Sequence, residues 1–345
     1  MSSGDALRNA ILRTIEDSGS SVGAGKLSSH LAAAGLRAKP RTVRLHLLRM
    51  DREGLTRKVS RRLGRELTER GRDELRHIDI PARVGFMATR IEALMHRMTY
   101  RSRTHTGSVV ANTALIRQEQ VQSAIECMYP VFQRRLALGP LVAVARGGTR
   151  LAGVTVPDGM IMLATICSVT VNGALLAEGI PVTSRYAALL QMRDGRPLRF
   201  AELLDYSGTT LAPLELFAQA GRTSVRECAR TGDGVVGASF REIPAVARAE
   251  LLRVRAELER DNLGGILAVG HPGQPLLGVP VAEGRCGLVV AAGLNPLVAV
   301  HEAAIDVAFQ SLAAIEDRAS FVPIATLRNR FPWWPEDRRV PSSLE

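Results

Sequence analysis

The chain has 345 residues, of which 46% are hydrophobic, and a formal net charge of +11. This length allows two or three domains with proper cores, and the apolar fraction is that of an ordinary globular protein. The most apolar run, Met160–Val171, is too short to span a bilayer, and the first residues do not resemble a signal peptide. We therefore expect a cytoplasmic protein that makes no membrane contact.

The positive charge is concentrated near the N-terminus. Residues 1–80 hold 17 Lys and Arg against 10 Asp and Glu, and residues 37–65 hold 11 against 2. Nearly all of these basic residues are Arg, which can reflect codon usage, so the position of the charge is more informative than its sum. A basic window of this kind indicates a polyanionic partner.

The N-terminal elements come in the order of a winged helix. Helical spacing of apolar residues predicts helices over Asp5–Asp17, Leu27–Ala34 and Arg41–Asp51, with Pro40 in the first turn of the third. Two short β-like runs follow, Leu55–Val59 and Arg65–Thr68, and Thr68 is placed to cap a last helix. Residues 1–80 are therefore predicted to form a winged helix-turn-helix.

In that fold the third helix enters the DNA major groove and the wing touches the backbone or minor groove. Val43, Leu47 and Met50 share the face that packs inward, so the opposite face is free for DNA. The candidate DNA contacts are Arg41, Thr42, Arg44, Leu45 and Arg49 on the helix, and Arg61, Arg62 and Arg65 in the wing. The alternative interpretation is a solvated charged helix in a small protein-interaction domain.

After the Pro-containing joint Ile78–Arg83, the chain contains an internal repeat. Leu138–Val182 matches Leu263–Val307 at a constant offset of 125 positions, without gaps and with 14 identities in 45. Two copies indicate a duplicated domain rather than a solenoid. We predict one domain over residues 81–336, made of halves at about 83–207 and 212–336, and a tail at 337–345.

The elements predicted for the two halves follow the same order, and the fold class is α/β (α+β). The first half is predicted to contain helices near Ile91–Met98, Glu119–Leu136 and from Asn172, and strands near Gly107–Asn112, Leu141–Ala145 and Met160–Val171. The second half is predicted to contain helices at Leu214–Ala220 and Ala245–Glu259, a strand at Val235–Phe240, and then the repeat. The aromatic stretch Phe331–Pro335 is expected to fold back on the domain.

The residues do not indicate an enzyme or a metal site. The four cysteines are scattered, and no phosphate-binding loop, dinucleotide fingerprint, zinc motif or nucleophile elbow occurs. Cys167-Ser168 and His301-Glu302 are the only suggestive pairs, and the repeat aligns His301 with Leu176, so no symmetric catalytic pair arises. We expect no catalytic residue, cofactor or metal.

Several longer motifs resemble a known family. Arg41-Thr-Val-Arg-Leu-His-Leu and Gly64-Arg-Glu-Leu-Thr-Glu-Arg-Gly resemble the winged helix of ribonuclease R, in the version that opens the NrpR nitrogen-regulatory repressors. Tyr206-Ser-Gly-Thr-Thr-Leu-Ala-Pro-Leu-Glu-Leu-Phe, Phe240-Arg-Glu-Ile-Pro and Gly293-Leu-Asn-Pro are similar to that family's effector domain. One departure is Ala304, where the family pattern has Gly.

The resemblance implies a repressor of nitrogen-assimilation genes that binds palindromic operators in double-stranded DNA as a homodimer or homotetramer. It also implies 2-oxoglutarate as the effector that releases the repressor. One effector domain is present, where some members of the family carry two. The alternatives are a winged-helix RNA-binding or RNA-processing accessory protein, a regulator that senses another small molecule and, third, an uncharacterised enzyme under DNA-linked control.

A 2-oxoglutarate site needs a guanidinium or a helix N-terminus for each carboxylate and a donor for the keto oxygen. Matched strand-to-helix junctions at 168–173 and 293–296 offer such groups. The candidate ligand contacts are Cys167, Ser168, Asn172, Thr209, Thr210, Arg241 and Asn295.

Each of these candidates also has a structural interpretation. Arg241 could pair with Glu242 or with another neighbouring acid, and the two threonines could cap a helix that starts at Leu211. Asn295 could serve a turn, and Cys167 could be a core residue.

Overall fold

The computed structural model describes residues 3–33, 38–60, 62–78 and 86–328. The chain divides into two compact units, Met1–Gly85 and Phe86–Glu345. The predicted joint and the aromatic stretch Phe331–Pro335 lie outside the described residues, except for Ile78. Within these ranges, no helix is long and apolar enough to span a membrane.

The first unit is a winged helix, as predicted. Its elements are α1 (Ser3–Asp17), α2 (Ala24–Ala33), α3 (Pro40–Arg52), β1 (Thr56–Ser60), β2 (Gly64–Leu67) and α4 (Glu69–Ile78). Strands β1 and β2 form the antiparallel wing, and Val22 adds a bridge to Arg65. The predicted inner face of α3 is buried, since Val43, Leu47 and Met50 are at most 1% exposed.

Two local details fix the wing and the helix that follows it. Gly64 has φ +93°, and a Cβ there would lie 2.2 Å from the carbonyl oxygen of Val22, so only glycine fits. The hydroxyl of Thr68 accepts the backbone N–H of Gly71 at 3.0 Å. The predicted cap of the last helix is therefore present.

The second unit combines eight helices with two larger sheets over residues 86–328. The helices are α5 (Met87–Arg97), α6 (Val121–Gln133), α7 (Val169–Ala177), α8 (Pro213–Gln219), α9 (Val225–Thr231), α10 (Arg248–Arg260), α11 (Asn295–Glu302) and α12 (Ile324–Arg328). The strands are β3 (Ser108–Arg117), β4 (Leu141–Arg146), β5 (Arg150–Leu151), β6 (Val154–Thr155), β7 (Met160–Ile166), β8 (Thr183–Arg193), β9 (Arg196–Asp205), β10 (Gly234–Pro244), β11 (Ile266–Val269), β12 (Arg285–Ala291), β13 (Val307–Asp317) and β14 (Val322–Pro323).

The two halves of this unit exchange their last repeated strand. At the offset of 125, β3, β4, β7 and β8 correspond to β10, β11, β12 and β13. One sheet has the order β13-β3-β7-β4-β14 and the other β11-β12-β10-β8-β9, with every pair antiparallel. Strand β8 thus pairs with β10 of the second half, and β13 pairs with β3 of the first. The duplicated sequence forms one interlocked unit.

Helices cover both faces of the sheets. Along β7, Met162, Ala164 and Ile166 contribute to one buried cluster, whereas Ile161 and Leu163 contribute to another. The first cluster is covered by α5, α7 and α10, and the second by α6, α9 and α11. Because strand side chains alternate between faces, the central strands of each sheet are buried on both sides, whereas the edge strand β9 has no buried residue.

The predicted boundaries fail at one junction that matters for the site. The strand predicted over Met160–Val171 ends at Ile166, and α7 begins at Val169 rather than at Asn172. Val169-Thr-Val is β-branched and favours a strand, but α7 is buried on all sides and packing overrides that preference. Strands β8, β9 and β13 were also absent from the prediction.

Ala304, the departure from the family pattern, lies at the end of α11 with φ +57°. Its repeat equivalent is Gly179, with φ +78°, after α7. We expect Ala304→Gly to raise the free energy of unfolding by about 0.5–1 kcal/mol, because glycine adopts this conformation without strain. Gly179→Ala, the matched control, should lower it by a similar amount in urea unfolding. A loss of stability in Ala304→Gly would contradict this assignment.

Candidate functional site

The exposed face of α3 carries most of the candidate DNA contacts. Arg41, Thr42, Arg44, Leu45 and Arg49 are all exposed, and Leu45 keeps 51% of its accessible surface. The helix begins at Pro40, directly after the basic residue Lys39. Its first turn contains no acidic residue. This face can approach phosphates and base edges with uncompensated positive charge.

The wing contributes less charge than its sequence indicates. Arg62 is exposed, and the hydroxyl of Ser60 orders the turn by accepting the backbone N–H groups of Arg62 and Leu63. Arg61 lies outside the described residues. The Nε of Arg65 donates to Asp51 at 2.8 Å, and its side chain is only 12% exposed, so this guanidinium braces the wing against α3.

The candidate effector site is centred on Arg241, in β10, which is 1% exposed. One Nη donates to the carbonyl oxygen of Ser168, at 2.8 Å, and to the side-chain oxygen of Asn172. The buried Nε has no hydrogen-bond partner. The predicted candidates Ser168, Asn172 and Arg241 are thus in direct contact.

No carboxylate among the described residues lies within 4 Å of the Arg241 guanidinium. Glu242 instead lies 3.4 Å from Arg185 and 3.7 Å from Arg285. Adjacent residues of a strand point to opposite faces, so Glu242 cannot serve Arg241. The pairing considered from the sequence is therefore absent, and Arg241 is buried without a countercharge.

The electrostatics of this site follow from desolvation. Burial lowers the pKa of Arg241 to about 10, so the guanidinium is still charged at neutral pH. Burial of the charged guanidinium therefore destabilises the folded state. Burial also raises the pKa of the Tyr206 hydroxyl and of the Cys167 thiol, which both remain neutral. An anion would relieve the cost at Arg241.

A small cavity of about 30 Å³ adjoins this cluster. Its wall includes Cys167, Ser168 and Tyr206 on the side of Arg241, and Met87 and Ile91 of α5 on another side. The remaining lining residues are Asn112, Val169, Pro213, Leu214, Gly293, Leu294, Ser311 and Leu312. This volume holds about one water molecule, so a larger ligand requires the wall to move.

Of the other three predicted ligand residues, Asn295 and Thr209 make hydrogen bonds within the fold. The amide of Asn295 donates to the carbonyl oxygens of Leu136 and Gly237, and its oxygen accepts the N–H of Gly237. The hydroxyl of Thr209 bonds the backbone of Leu211, and α8 begins at Pro213, so neither threonine caps a helix at Leu211. Thr210 is half-buried beside it. These residues do not join Arg241.

Asn112 and Tyr206 belong to the cavity wall, and the sequence analysis missed them. Asn112 is 1% exposed; its amide donates to Thr165 and its oxygen accepts the N–H of Leu312. A polar residue within the apolar run of β3 was the available signal. Tyr206 stood in a quoted motif but was not singled out. No three His, Cys, Asp or Glu residues in the described ranges could hold a metal ion.

Comparisons with known proteins cover both units. The family described as NrpR regulatory domains NRD1 and 2 matches residues 84–322, and the ribonuclease R winged-helix domain matches residues 9–75. A solved nitrogen repressor-like protein from Methanococcus jannaschii is similar in fold, with a TM-score of 0.60 and 25% identity. That likeness covers 69% of this chain and 98% of the other.

Two curated relatives are global nitrogen regulators. NrpRI of Methanosarcina mazei is 33% identical over 307 residues, which cover 89% of this chain and 94% of that protein. NrpR of Methanococcus maripaludis is 26% identical over 310 residues, which cover 90% of this chain and 54% of that protein. The chain is thus similar over nearly its whole length to proteins that are named as regulators.

Proposed function

Because the chain belongs to the NrpR family of nitrogen-regulatory transcription regulators, which are not enzymes, we propose that it represses genes by binding operator DNA and is released by 2-oxoglutarate. The observation that carries the effector part is the buried, uncompensated guanidinium of Arg241 beside the cavity. The exposed basic face of α3 supports the operator part.

Arg241 explains why the ligand is an anion. A buried charge without a countercharge is costly, and a carboxylate in contact with it would regain that cost as binding energy. The unpaired Nε is a donor that a carboxylate oxygen can use. Ser168, whose carbonyl oxygen accepts from Arg241, lines the cavity together with Cys167 and Tyr206, while Arg241 itself lies behind the lining residues.

Release from DNA follows from thermodynamic linkage between the effector site and the operator-binding site. If 2-oxoglutarate favours a conformation in which the cavity is open, and operator DNA favours the closed one, each ligand weakens the binding of the other. The closed cavity of about 30 Å³ is compatible with the DNA-binding conformation. Two copies of the winged helix would read the two half-sites of a palindrome.

The test begins with genomic fragments recovered on the protein and sequenced with and without 2-oxoglutarate. The recovered sequence, as a fluorescent duplex, is then titrated with protein. We expect saturating 2-oxoglutarate to weaken operator binding at least about tenfold, within the usual range of allosteric coupling. Failure to bind any duplex at low salt would refute the repressor; unchanged operator affinity would refute the effector.

The RNA-binding alternative rests on the ribonuclease R match over residues 9–75. A competition between the recovered duplex and a structured RNA hairpin of equal length separates the two functions. Preference for the duplex supports the repressor, and preference for the hairpin supports the accessory protein.

A further inference from the structure

Arg90, on α5, is hydrogen-bonded to a residue of the cavity wall. It lies between Met87 and Ile91, which both line the cavity and are at most 3% exposed. Arg90 itself is exposed, and one Nη donates to the carbonyl oxygen of Leu312 at 3.2 Å. Leu312 also lines the cavity, so the Arg90 guanidinium is hydrogen-bonded to a residue of the cavity wall, although Arg90 itself is not a lining residue.

The acceptor of Arg90 lies in an irregularity of β13. Pairing of β13 with β3 skips from Gln310 to Ala314, and Leu312 has φ +51°. The loop is held by Asn112, which accepts the N–H of Leu312, and by Glu215, which accepts the N–H and hydroxyl of Ser311. The Leu312 carbonyl is therefore outside the strand ladder, where a left-handed leucine carries strain.

Arg90 has only this neutral partner. Within residues 86–328, no carboxylate lies within 4 Å of its guanidinium, and the other described residues provide none either. A hydrogen bond to a carboxylate is roughly twice as strong as one to a neutral oxygen. A carboxylate that reaches this wall would compete successfully for the Arg90 guanidinium.

We propose that Arg90 binds the second carboxylate of the effector and sets the preference for a dicarboxylate. This rests on the proposed function, in which Arg241 takes the first carboxylate. One guanidinium is bonded to the Ser168 carbonyl and the other to the Leu312 carbonyl, and both Ser168 and Leu312 line the cavity. On binding, the guanidinium leaves the Leu312 carbonyl.

The same exchange loosens α5. The ligand needs more room than about 30 Å³, and Met87 and Ile91 of α5 form part of the wall. Loss of the Arg90–Leu312 bond removes one tie that keeps α5 over the cavity.

The test compares two probes that differ only in the second carboxylate, 2-oxoglutarate and 2-oxopentanoate, by calorimetry on the full chain. The wild type should bind 2-oxoglutarate at least about tenfold more tightly, as a charged hydrogen bond predicts. Arg90→Ala should bring the two affinities within about twofold by weakening 2-oxoglutarate alone. Arg90→Lys should restore part of the difference. Arg97→Ala, another exposed arginine of α5, should keep the wild-type ratio.

The outcomes separate this inference from the proposed function. If the wild type binds 2-oxoglutarate and Arg90→Ala keeps the wild-type ratio, Arg90 has no role in specificity while the effector stands. If the wild type binds neither probe, the effector and the role of Arg90 are both refuted. Amide hydrogen exchange across α5 gives a second readout: 2-oxoglutarate should speed it in the wild type, and unchanged exchange would refute the movement.

Discussion

The double variant Arg241→Ile, Asn172→Leu should bind 2-oxoglutarate at least about 100-fold more weakly than the wild type and remain equally stable. Both replacements are taken from the repeat, which aligns Arg241 with Ile116 and Asn172 with Leu297, each fully buried. Loss of a buried carboxylate-binding guanidinium costs several kcal/mol of binding, which corresponds to this factor.

The free energy of unfolding of the double variant, unlike its affinity for 2-oxoglutarate, should not fall, because burial of the guanidinium destabilises the folded state. Replacing buried ionic groups by packed apolar side chains is often neutral or stabilising by about 1–4 kcal/mol. The single variant Arg241→Ile should instead lose about 2 kcal/mol, because the oxygen of Asn172 and the carbonyl of Ser168 lose their donor.

Urea unfolding and calorimetric titration measure these two quantities, and operator binding of the double variant serves as the control. Wild-type affinity for 2-oxoglutarate in the double variant would remove Arg241 from the effector site. A loss of more than about 3 kcal/mol in its stability would mean that Arg241 serves the fold.

Arg49→Ala should weaken operator binding about 10- to 100-fold while changing affinity for unrelated duplex much less. Arg49 lies on the exposed face of α3, and an arginine that reads a base edge contributes about 1–3 kcal/mol of discrimination. Arg62→Ala, in the wing, should weaken binding to both duplexes equally. It should also reduce the slope of log affinity against log salt by about 1.

The matched control is Arg199→Ala, which removes the same charge from an exposed position on β9 in the second unit. Its operator affinity should stay within about twofold of the wild type, since Arg199 is not part of the winged helix that we propose contacts the operator. Equal losses of operator and non-specific affinity in Arg49→Ala would show that α3 contacts phosphates alone.

The sequence predicted the local elements of the first unit well because its signals are local. The spacing of Val43, Leu47 and Met50 defined the inner face of α3, and Thr68 marked the start of α4. The sequence did not predict the ion pair of Arg65, because its partner, Asp51, lies across the fold and not beside it in the chain. Such a pairing depends on tertiary distance, which helical or strand periodicity does not contain.

In the second unit the repeat predicted which segments are equivalent but not how they pair. The exchange of β8 and β13 between the halves depends on long-range strand pairing. The hydrophobic periodicity of either strand does not indicate which strand it pairs with. Arg241 could be selected from the sequence as a candidate ligand contact, because an arginine between apolar residues is rarely solvated. Because adjacent residues of a strand point to opposite faces, the sequence also excludes the neighbouring Glu242 as the partner of Arg241.

Asn295 was chosen for the same kind of reason as Arg241, and the structure gives it a different role. Its amide ties α11 to Gly237 and Leu136, so every polar atom of that side chain is occupied within the fold. Arg241 keeps an unpaired Nε. Unsatisfied and satisfied polar groups look alike in a sequence, and only the contacts separate them.

The central claim, that effector and operator oppose each other through this chain, is tested most directly by measuring both affinities under linkage. Calorimetry gives the dissociation constant of 2-oxoglutarate with and without saturating operator, and anisotropy gives that of the operator with and without saturating 2-oxoglutarate. We predict that each ligand raises the dissociation constant of the other by the same factor, at least about tenfold. Binding of 2-oxoglutarate with equal affinity to the free and the DNA-bound protein would contradict the account.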